Sequence, residues 1–566
     1  MDPVFFLIFR RMRAPLLTLI VTYAVAVVGL TLIPGQDGTG APAHMELFHA
    51  FYVMSYTSTT IGFGEIPNEF TDAQRIWVAL CMYATVVVWL YSVGALLALA
   101  QDKALQRALR MRRFARRVAA LRQPFYLICG YGQAGSGLVR ALSERGQRVV
   151  VMDNNPERID LLGLDNLPEF VPALSADVRR PDNLLLGGLR HPRCAGVLAL
   201  TSANEVNLKV AITAKLMHPQ ITVMCRSDAA EVSANMASFG TDHIFDPFDI
   251  FARYLAAAVQ SPCLTLLKDW LGEVRDSELK EPKHAPASGL WIICGYGRFG
   301  RALYRHLGEL DLELTLIEPH PERTGKPPGR LVLGTGTLAE TLREAGIERA
   351  VALVAATDND TNNLSILLTA RDLNPSLFTV IRHNQVPNQA LFDAVAADIV
   401  MHPSLIVAHR IRTLLTTPLL ADFIEEAGHA SDGWACELVS RIAALVDDRV
   451  PEVWEIRIDA AASATLTALA QAGHALTLDA LLQDPRRPNH WLPALVLLRR
   501  RARHQTLLPD LAEPVRRGDR LLLCGTHSAR NRMGWLLQHP ATLRAILAAR
   551  AQAPATEEPT RASPAP

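Results

Sequence analysis

Two stretches of this chain place glycines where backbone, rather than side chains, would do the binding. Gly130-x-Gly132-x-x-Gly135 follows the apolar run FYLIC, and Asp153 ends the next apolar run. The same pattern returns as Gly295-x-Gly297-x-x-Gly300 after LWIIC, with Glu318 in the place of Asp153, each position 165 residues after its counterpart. Glycines at a strand-to-helix turn let the backbone approach a pyrophosphate at the helix N-terminus, where the dipole favours an anion. Asp153 and Glu318 are placed to accept hydrogen bonds from a ribose diol. Asn154 and Pro319 follow them, so no arginine stands ready for a 2′-phosphate, which favours NAD or an adenine nucleotide as ligand. Arg226 and Arg382, at matching strand ends, are either phosphate partners or solvated arginines. A third backbone-rich stretch, Thr60-Ile61-Gly62-Phe63-Gly64, lies far upstream in SYTSTTIGFGEIP. As an extended loop it would aim successive carbonyls one way, with glycine supplying the unusual backbone angles.

The elements around these residues divide the chain. Ala14 to Gln36 and Ile76 to Gln101 carry no charge, and each meets the about 20 residues that cross a bilayer as a helix. A cleaved leader fits the first run poorly, because LTLIPGQDG offers no clear small-residue cleavage site. Arg10, Arg11 and Arg13 precede the first run and DKALQRALRMRRFARR follows the second, placing both termini in the cytoplasm of a plasma-membrane protein. Between the spans, PAHMELFHAFYVMSYTSTT reads as a re-entrant helix leading into Thr60–Gly64. Non-helical backbone at membrane depth is tolerated only when buried in protein or lining a watery cavity. A ring of such carbonyls replaces the hydration shell of a potassium ion.

TIGFG resembles the TVGYG filter of the potassium-channel family, with Ile61 for Val, Phe63 for Tyr and Glu65 where Asp is commoner. Phe63 lacks the tyrosine hydroxyl that tethers the filter to its pore helix. The resemblance implies a pore of four chains. The hinge glycine usual about twenty residues past the filter is replaced by Tyr83-Ala84-Thr85, and Gly94 lies further along.

Past the basic segment, strands and helices alternate, as in two doubly wound parallel sheets. VLALTSANEVNL answers ALVAATDNDTNNL, and ITVMCRSD answers FTVIRHNQ. This resembles the regulator-of-potassium-conductance domain (RCK, also KTN or TrkA-N), over about residues 125–255 and 290–415. GYGRFG, Glu318 and ATDNDTNNL of the second copy match it best. The first copy departs at Gln133-Ala134 and LTSANEVN and the second at LGTGT (Leu333–Thr337), leaving open the alternative that one of the two glycine loops serves packing alone. The resemblance further implies that FARYLAAAVQSPCLTLLKDWL crosses over to pair neighbouring domains, with eight copies in a homotetramer closing a ring. TLLPDLAEPVRRGDRLLLCG resembles the family's small β-rich lobe.

The expected fold is therefore a membrane α-helical pore domain (1–100) and a basic linker (101–124), followed by α/β Rossmann-like domains. These are the first RCK copy (125–285) and the second RCK lobe with its crossover helices (286–425). A small α+β C-terminal lobe (426–550) and a disordered tail (551–566) complete it. With 566 residues and a net charge of +1, the chain has no bias toward nucleic acid, and its arginine-rich linker suits membrane lipid. The eight cysteines form no CxxC pair and read as reduced, buried thiols. Asp242, Asp246 and Asp249 are of the type calcium takes, but so scattered that capping or solvated roles fit them better. His243, His320, His383 and His402 stand singly with no orienting partner, which argues against a catalytic site. The expected function is a potassium channel gated by a cytoplasmic nucleotide. Alternatives are a potassium-transport subunit regulated by NAD, or a membrane-anchored NAD-dependent oxidoreductase.

Overall fold

A computed structural model describes residues 3–272, 284–446, 449–458, 476–487 and 490–552. The expected tail falls outside the described residues from 553 on, as does most of the stretch joining the two copies. The chain divides into two compact units, Met1–Leu121 with Leu186–Gly188, and Arg122–Leu185 with Leu189–Pro566.

In the first unit, two helices are long and apolar enough to cross a membrane, within Pro3–Leu32 and at Asp72–Ala100. The second starts at a capping box, in which the Thr71 side chain and Gln74 satisfy each other's backbone N–H groups. Between the two lies a shorter helix, Leu47–Ser58, and then the irregular stretch that holds Thr60–Gly64. Pro42–His44 forms a two-stranded hairpin with Pro34–Gln36, so the helix begins later than PAHMELF suggested. Proline removes a donor and suits this edge position. Ala26, Leu30, Ala50, Val53, Met54 and Cys81 bring the three helices together. A fourth helix, Lys103–Ala119, carries the basic run and is capped by Asp102, which accepts from the Ala104 and Leu105 N–H groups.

The second unit contains two six-stranded parallel sheets. In chain order the strands of each are arranged 3-2-1-4-5-6, the doubly wound Rossmann order. The first strand of one is Phe125–Cys129, flanked by Arg148–Asp153 and Cys194–Ala199. The first strand of the other is Leu290–Cys294, flanked by Glu313–Glu318 and Ala350–Ala355. These strands are near-continuous apolar runs because helices cover both faces of a parallel sheet.

The crossover predicted for FARYLAAAVQ occurs within this one chain. Helix Pro247–Gln260, which follows the first sheet, packs Phe248, Phe251 and Leu255 against Phe299 and Leu303 of the second copy. Helix Pro403–Thr416, which follows the second sheet, sends Val407, Ala408 and Ile411 among Leu138, Val139 and Leu142 of the first. Each copy thus completes its core with the other's helix. A four-stranded antiparallel sheet of Glu452–Arg457, Arg520–Gly525, Ala494–Arg501 and His504–Leu507 builds the C-terminal lobe.

The cysteine expectation needs a correction. Cys263 and Cys436 are joined by a disulfide, their Cα atoms 5.0 Å apart and their sequence positions 173 apart. No local motif marks the pair, because helix packing alone brings the two residues together. Cys129, Cys225, Cys294 and Cys524 are buried free thiols, as expected.

Candidate functional site

The two glycine turns are built alike. Each lies between the first strand of its sheet and a helix, Gln133–Ser143 or Arg298–Leu307. Gly132 and Gly297 are the helix N-caps and have no side chain to satisfy the first N–H groups. Those donors are what an anion would take. A Cβ at Gly135 would stand 2.0 Å from the Gly130 carbonyl oxygen, and at Gly300 1.9 Å from that of Gly295, so helix and turn touch only because both positions are glycine. At Gly297 a Cβ would meet nothing within 4 Å. The close packing and the open face match the division of labour expected of a phosphate-binding turn, and the residues present fit a nucleotide.

Asp153 and Glu318 sit at the ends of the second strands, both nearly fully buried. Asp153 accepts from the Tyr131 N–H at 2.6 Å and the Asn155 N–H at 2.8 Å. Glu318 accepts from the Tyr296 N–H at 2.7 Å and the His320 N–H at 2.9 Å. Each acid therefore fixes its own glycine turn. A carboxylate has about four acceptor positions, so capacity for a ribose diol remains.

Arg226 and Arg382 end the fifth strands and are half-buried. Burial lowers the pKa of both guanidinium groups, that of Arg382 to about 10. Arg382 lies 4.7 Å from the ring centre of Phe248 and donates to Asn384 Oδ1 at 2.7 Å. The half-buried Arg382 guanidinium is thus held between the Phe248 ring and the Asn384 amide.

Two asparagines that sequence reasoning did not single out position these strand ends. Asn207 accepts from Thr201 N–H at 3.0 Å and donates to the Arg226 carbonyl at 2.9 Å. Asn363 does the same between Thr357 N–H, at 3.0 Å, and the Arg382 carbonyl, at 2.8 Å. Both are fully buried. Their signal was the asparagine shared by LTSANEVNL and ATDNDTNNL.

The two turns face one joint. Arg298, inside the second glycine turn, pairs with Asp228, just past the fifth strand of the first copy. The pseudo-symmetric contact is Gln133 Nε2 donating to the Asn384 carbonyl at 3.4 Å. One contact is charged and its counterpart neutral. Asp360 anchors this joint in the second copy, accepting from Asn384 N–H, Gln385 N–H and Asn388 Nδ2. Burial opposes its charge, but those hydrogen bonds keep the carboxyl below its usual range.

The scattered aspartates are engaged elsewhere. Asp246 caps helix Pro247–Gln260, Asp242 pairs with Lys215 at 2.7 Å, and Asp249 pairs with Arg253, Arg305 and His306. Among the described residues these three do not converge as a metal-ligand group. His383 and His402, single in sequence, meet edge-to-face with ring centres 4.4 Å apart.

In the first unit Gly62 and Gly64 have φ of 63° and 93°, and Thr60 has 64°. All five residues Thr60–Gly64 are exposed in the isolated chain, Ile61 and Phe63 by about three fifths. The Tyr56 hydroxyl, on the preceding helix, donates to the Gly64 carbonyl. Tyr56 also meets the Phe63 ring edge-on at 5.5 Å. Glu65 accepts from Arg75 Nε at 2.8 Å and from the Phe70 N–H at 2.8 Å, bracing the loop's exit.

The TrkA-N domain model matches residues 126–247 and 291–403, the two sheet units. The Trk system potassium uptake protein TrkA homolog of Methanothermobacter thermautotrophicus is 31% identical over 167 residues, covering 29% of this chain and 76% of that protein. Potassium channel protein 1 of Methanocaldococcus jannaschii is 20% identical over 217 residues, 38% of this chain and 63% of that one. Against other curated relatives the chain spans 35% and 41% of their length. A solved structure described as GsuK Channel aligns over 96% of this chain and 100% of its own, with a TM-score of 0.49 and 18% identity. With both of its parallel sheets matched and a TrkA relative covered over most of its length, the chain belongs to the TrkA-N domain family and carries two copies of the domain.

Proposed function

We propose that this protein is a potassium-selective channel of the plasma membrane whose opening is set by a nucleotide, NAD or ADP, bound at its TrkA-N domains. The observation that carries the reading is one chain holding both parts. A short helix followed by a loop with glycines at positive φ lies between two membrane-length helices, and two phosphate-type glycine turns with buried acids lie in the TrkA-N copies. Thr60 to Gly64 form the filter in this reading, and four chains are needed to close it. Both termini lie in the cytoplasm. The basic segment 101–124 carries the bias from the paired domains to the spans and lies against anionic lipid.

The nucleotide's pyrophosphate rests on the N–H groups beyond Gly132 or Gly297, its ribose on Asp153 or Glu318, and its phosphates reach Arg226 or Arg382. A ligand can shift the pore only by binding its open and closed forms with different affinity. The joint at Arg298 and Asp228 offers that difference, because it lies beside a glycine turn and between the two copies. In this reading the protein acts as a channel rather than an enzyme, in keeping with its potassium channel and potassium uptake relatives.

The test is purified full-length protein in planar bilayers, recorded under a potassium–sodium gradient with and without NAD or ADP. A reversal potential at the potassium equilibrium value and a nucleotide-dependent open probability are expected. A non-selective current, or none while nucleotide binding is retained, would favour a transport subunit.

A further inference from the structure

The Cys263–Cys436 bond ties the end of the first TrkA-N copy to the helices that lead into the C-terminal lobe. Cys263 is the second residue of helix Pro262–Gly272, and Cys436 lies one turn into helix Asp432–Ala443. The helices share an apolar core in which Leu267 and Trp270 pack with Leu419, Phe423, Leu438 and Ile442. Asp432 completes the joint, accepting from the Leu264 N–H at 3.1 Å, with Cys436 Sγ at 4.0 Å.

Within the second unit Cys194 is likewise part-buried, with burial pushing its thiol up to about 11, but the Cys263 and Cys436 pair differs from the four remaining thiols. Cys263 and Cys436 are half-buried and within reach of solvent, whereas Cys129, Cys225, Cys294 and Cys524 are buried in sheets. Burial pushes the last three of those thiols up to about 12, so they hold little thiolate. Cys263 lies in the first turn of its helix. Disulfides that form in a reducing cytoplasm are usually transient and redox-sensing.

The geometry points to Cys263 and Cys436 as a reversible redox pair that locks the first copy's terminal helix to the C-terminal lobe under oxidising conditions and releases it under reducing ones. The oxidant is a low-molecular-weight disulfide of the glutathione type. The Cys263 thiolate attacks one of its sulfurs, forming a mixed disulfide and expelling one small thiolate. The Cys436 thiolate then attacks Cys263 Sγ, closing the protein bond and expelling the second. Two protein thiols are oxidised and one small disulfide is reduced to two thiols, so the two protons and two electrons balance. In the reduced form the joint keeps its apolar packing and the Asp432 hydrogen bond but loses the covalent link between the two helices.

The experiment equilibrates full-length protein at graded ratios of reduced to oxidised glutathione, quenches with iodoacetamide and maps thiols by mass spectrometry. The expected result is a Cys263–Cys436 cross-linked peptide that appears at oxidising ratios and is lost on reduction, while Cys129, Cys225, Cys294 and Cys524 stay as thiols. Cys436→Ser should trap glutathione on Cys263. Hydrogen exchange in 262–272 and 432–443 should be slower in the oxidised wild type and indifferent to redox ratio in Cys263→Ser. Alkylation of both cysteines at every ratio overturns the proposal, as does a stoichiometric zinc ion held by the reduced pair with Asp432. A redox shift in nucleotide-dependent current rests on the channel reading. Absence of all current with the cross-link chemistry intact would count against that reading and leave the redox pair standing.

Discussion

Replacing Glu318 by glutamine tests the second nucleotide site at its most constrained atom. The carboxylate is only 5% exposed and accepts two backbone N–H groups, from Tyr296 at 2.7 Å and His320 at 2.9 Å. Glutamine keeps one oxygen and turns an NH₂ toward the other donor, so one charge-assisted bond is lost and a buried N–H is left without an acceptor. A hydrogen bond to a charged group contributes about 1.5–3 kcal/mol. The ribose diol loses the same kind of acceptor, which corresponds to roughly a ten- to hundredfold rise in Kd for NAD or ADP. Calorimetry on the full-length protein in detergent reads this, with the melting temperature followed in parallel. Asp153→Asn does the same for the first copy, and the double variant removes both. Filter selectivity should not change in any of them. If the double variant binds nucleotide with its Kd within about twofold and its stoichiometry intact, the acids only brace their turns and the ligand acts elsewhere.

Gly297→Val should leave the melting temperature nearly unchanged, since no atom lies within 4 Å of the new Cβ, yet weaken nucleotide binding by filling the pyrophosphate approach. Gly300→Ala should instead destabilise the domain outright, because its Cβ would stand 1.9 Å from the Gly295 oxygen. Tyr56→Phe removes one neutral hydrogen bond to the Gly64 carbonyl, so single-channel recording should show briefer openings, with a change of about two- to tenfold for a bond of about 0.5–1.5 kcal/mol. Gly62→Val forces a β-branched residue to φ of 63° and should abolish potassium current. Burial and the adjacent His383 hold the His402 pKa down to about 4 against an ordinary 6.5. The unfolded chain therefore binds the proton first, and stability present above pH 6.5 is lost as pH falls toward 4. His402→Asn should flatten that part of the melting-temperature profile.

The features legible in sequence were those governed by local rules. Bilayer length and the absence of charge marked the helices within Pro3–Leu32 and at Asp72–Ala100. A glycine turn between an apolar strand and a helix marked both sheet units, and the 165-residue offset exposed the duplication. Asp153 and Glu318 could be named because strand length fixes where the second strand ends. Chain folding decided which residues meet. FARYLAAAVQ showed an apolar face, but only packing places it on Phe299 of the second copy while Val407 returns the exchange to the first. Arg298 and Asp228 are 70 residues apart, Cys263 and Cys436 173, and no periodicity relates either pair. Asn207 and Asn363 stand in the matching strings LTSANEVNL and ATDNDTNNL, but their role is to bridge two strand ends that are adjacent only in the closed sheet. Propensity, turn chemistry and hydrophobic period act over a few residues of chain, so the sequence determined the elements and their glycine turns. The ion pair, the disulfide and the buried amides depend on contacts between segments far apart in the chain, and those exist only once the apolar faces have packed.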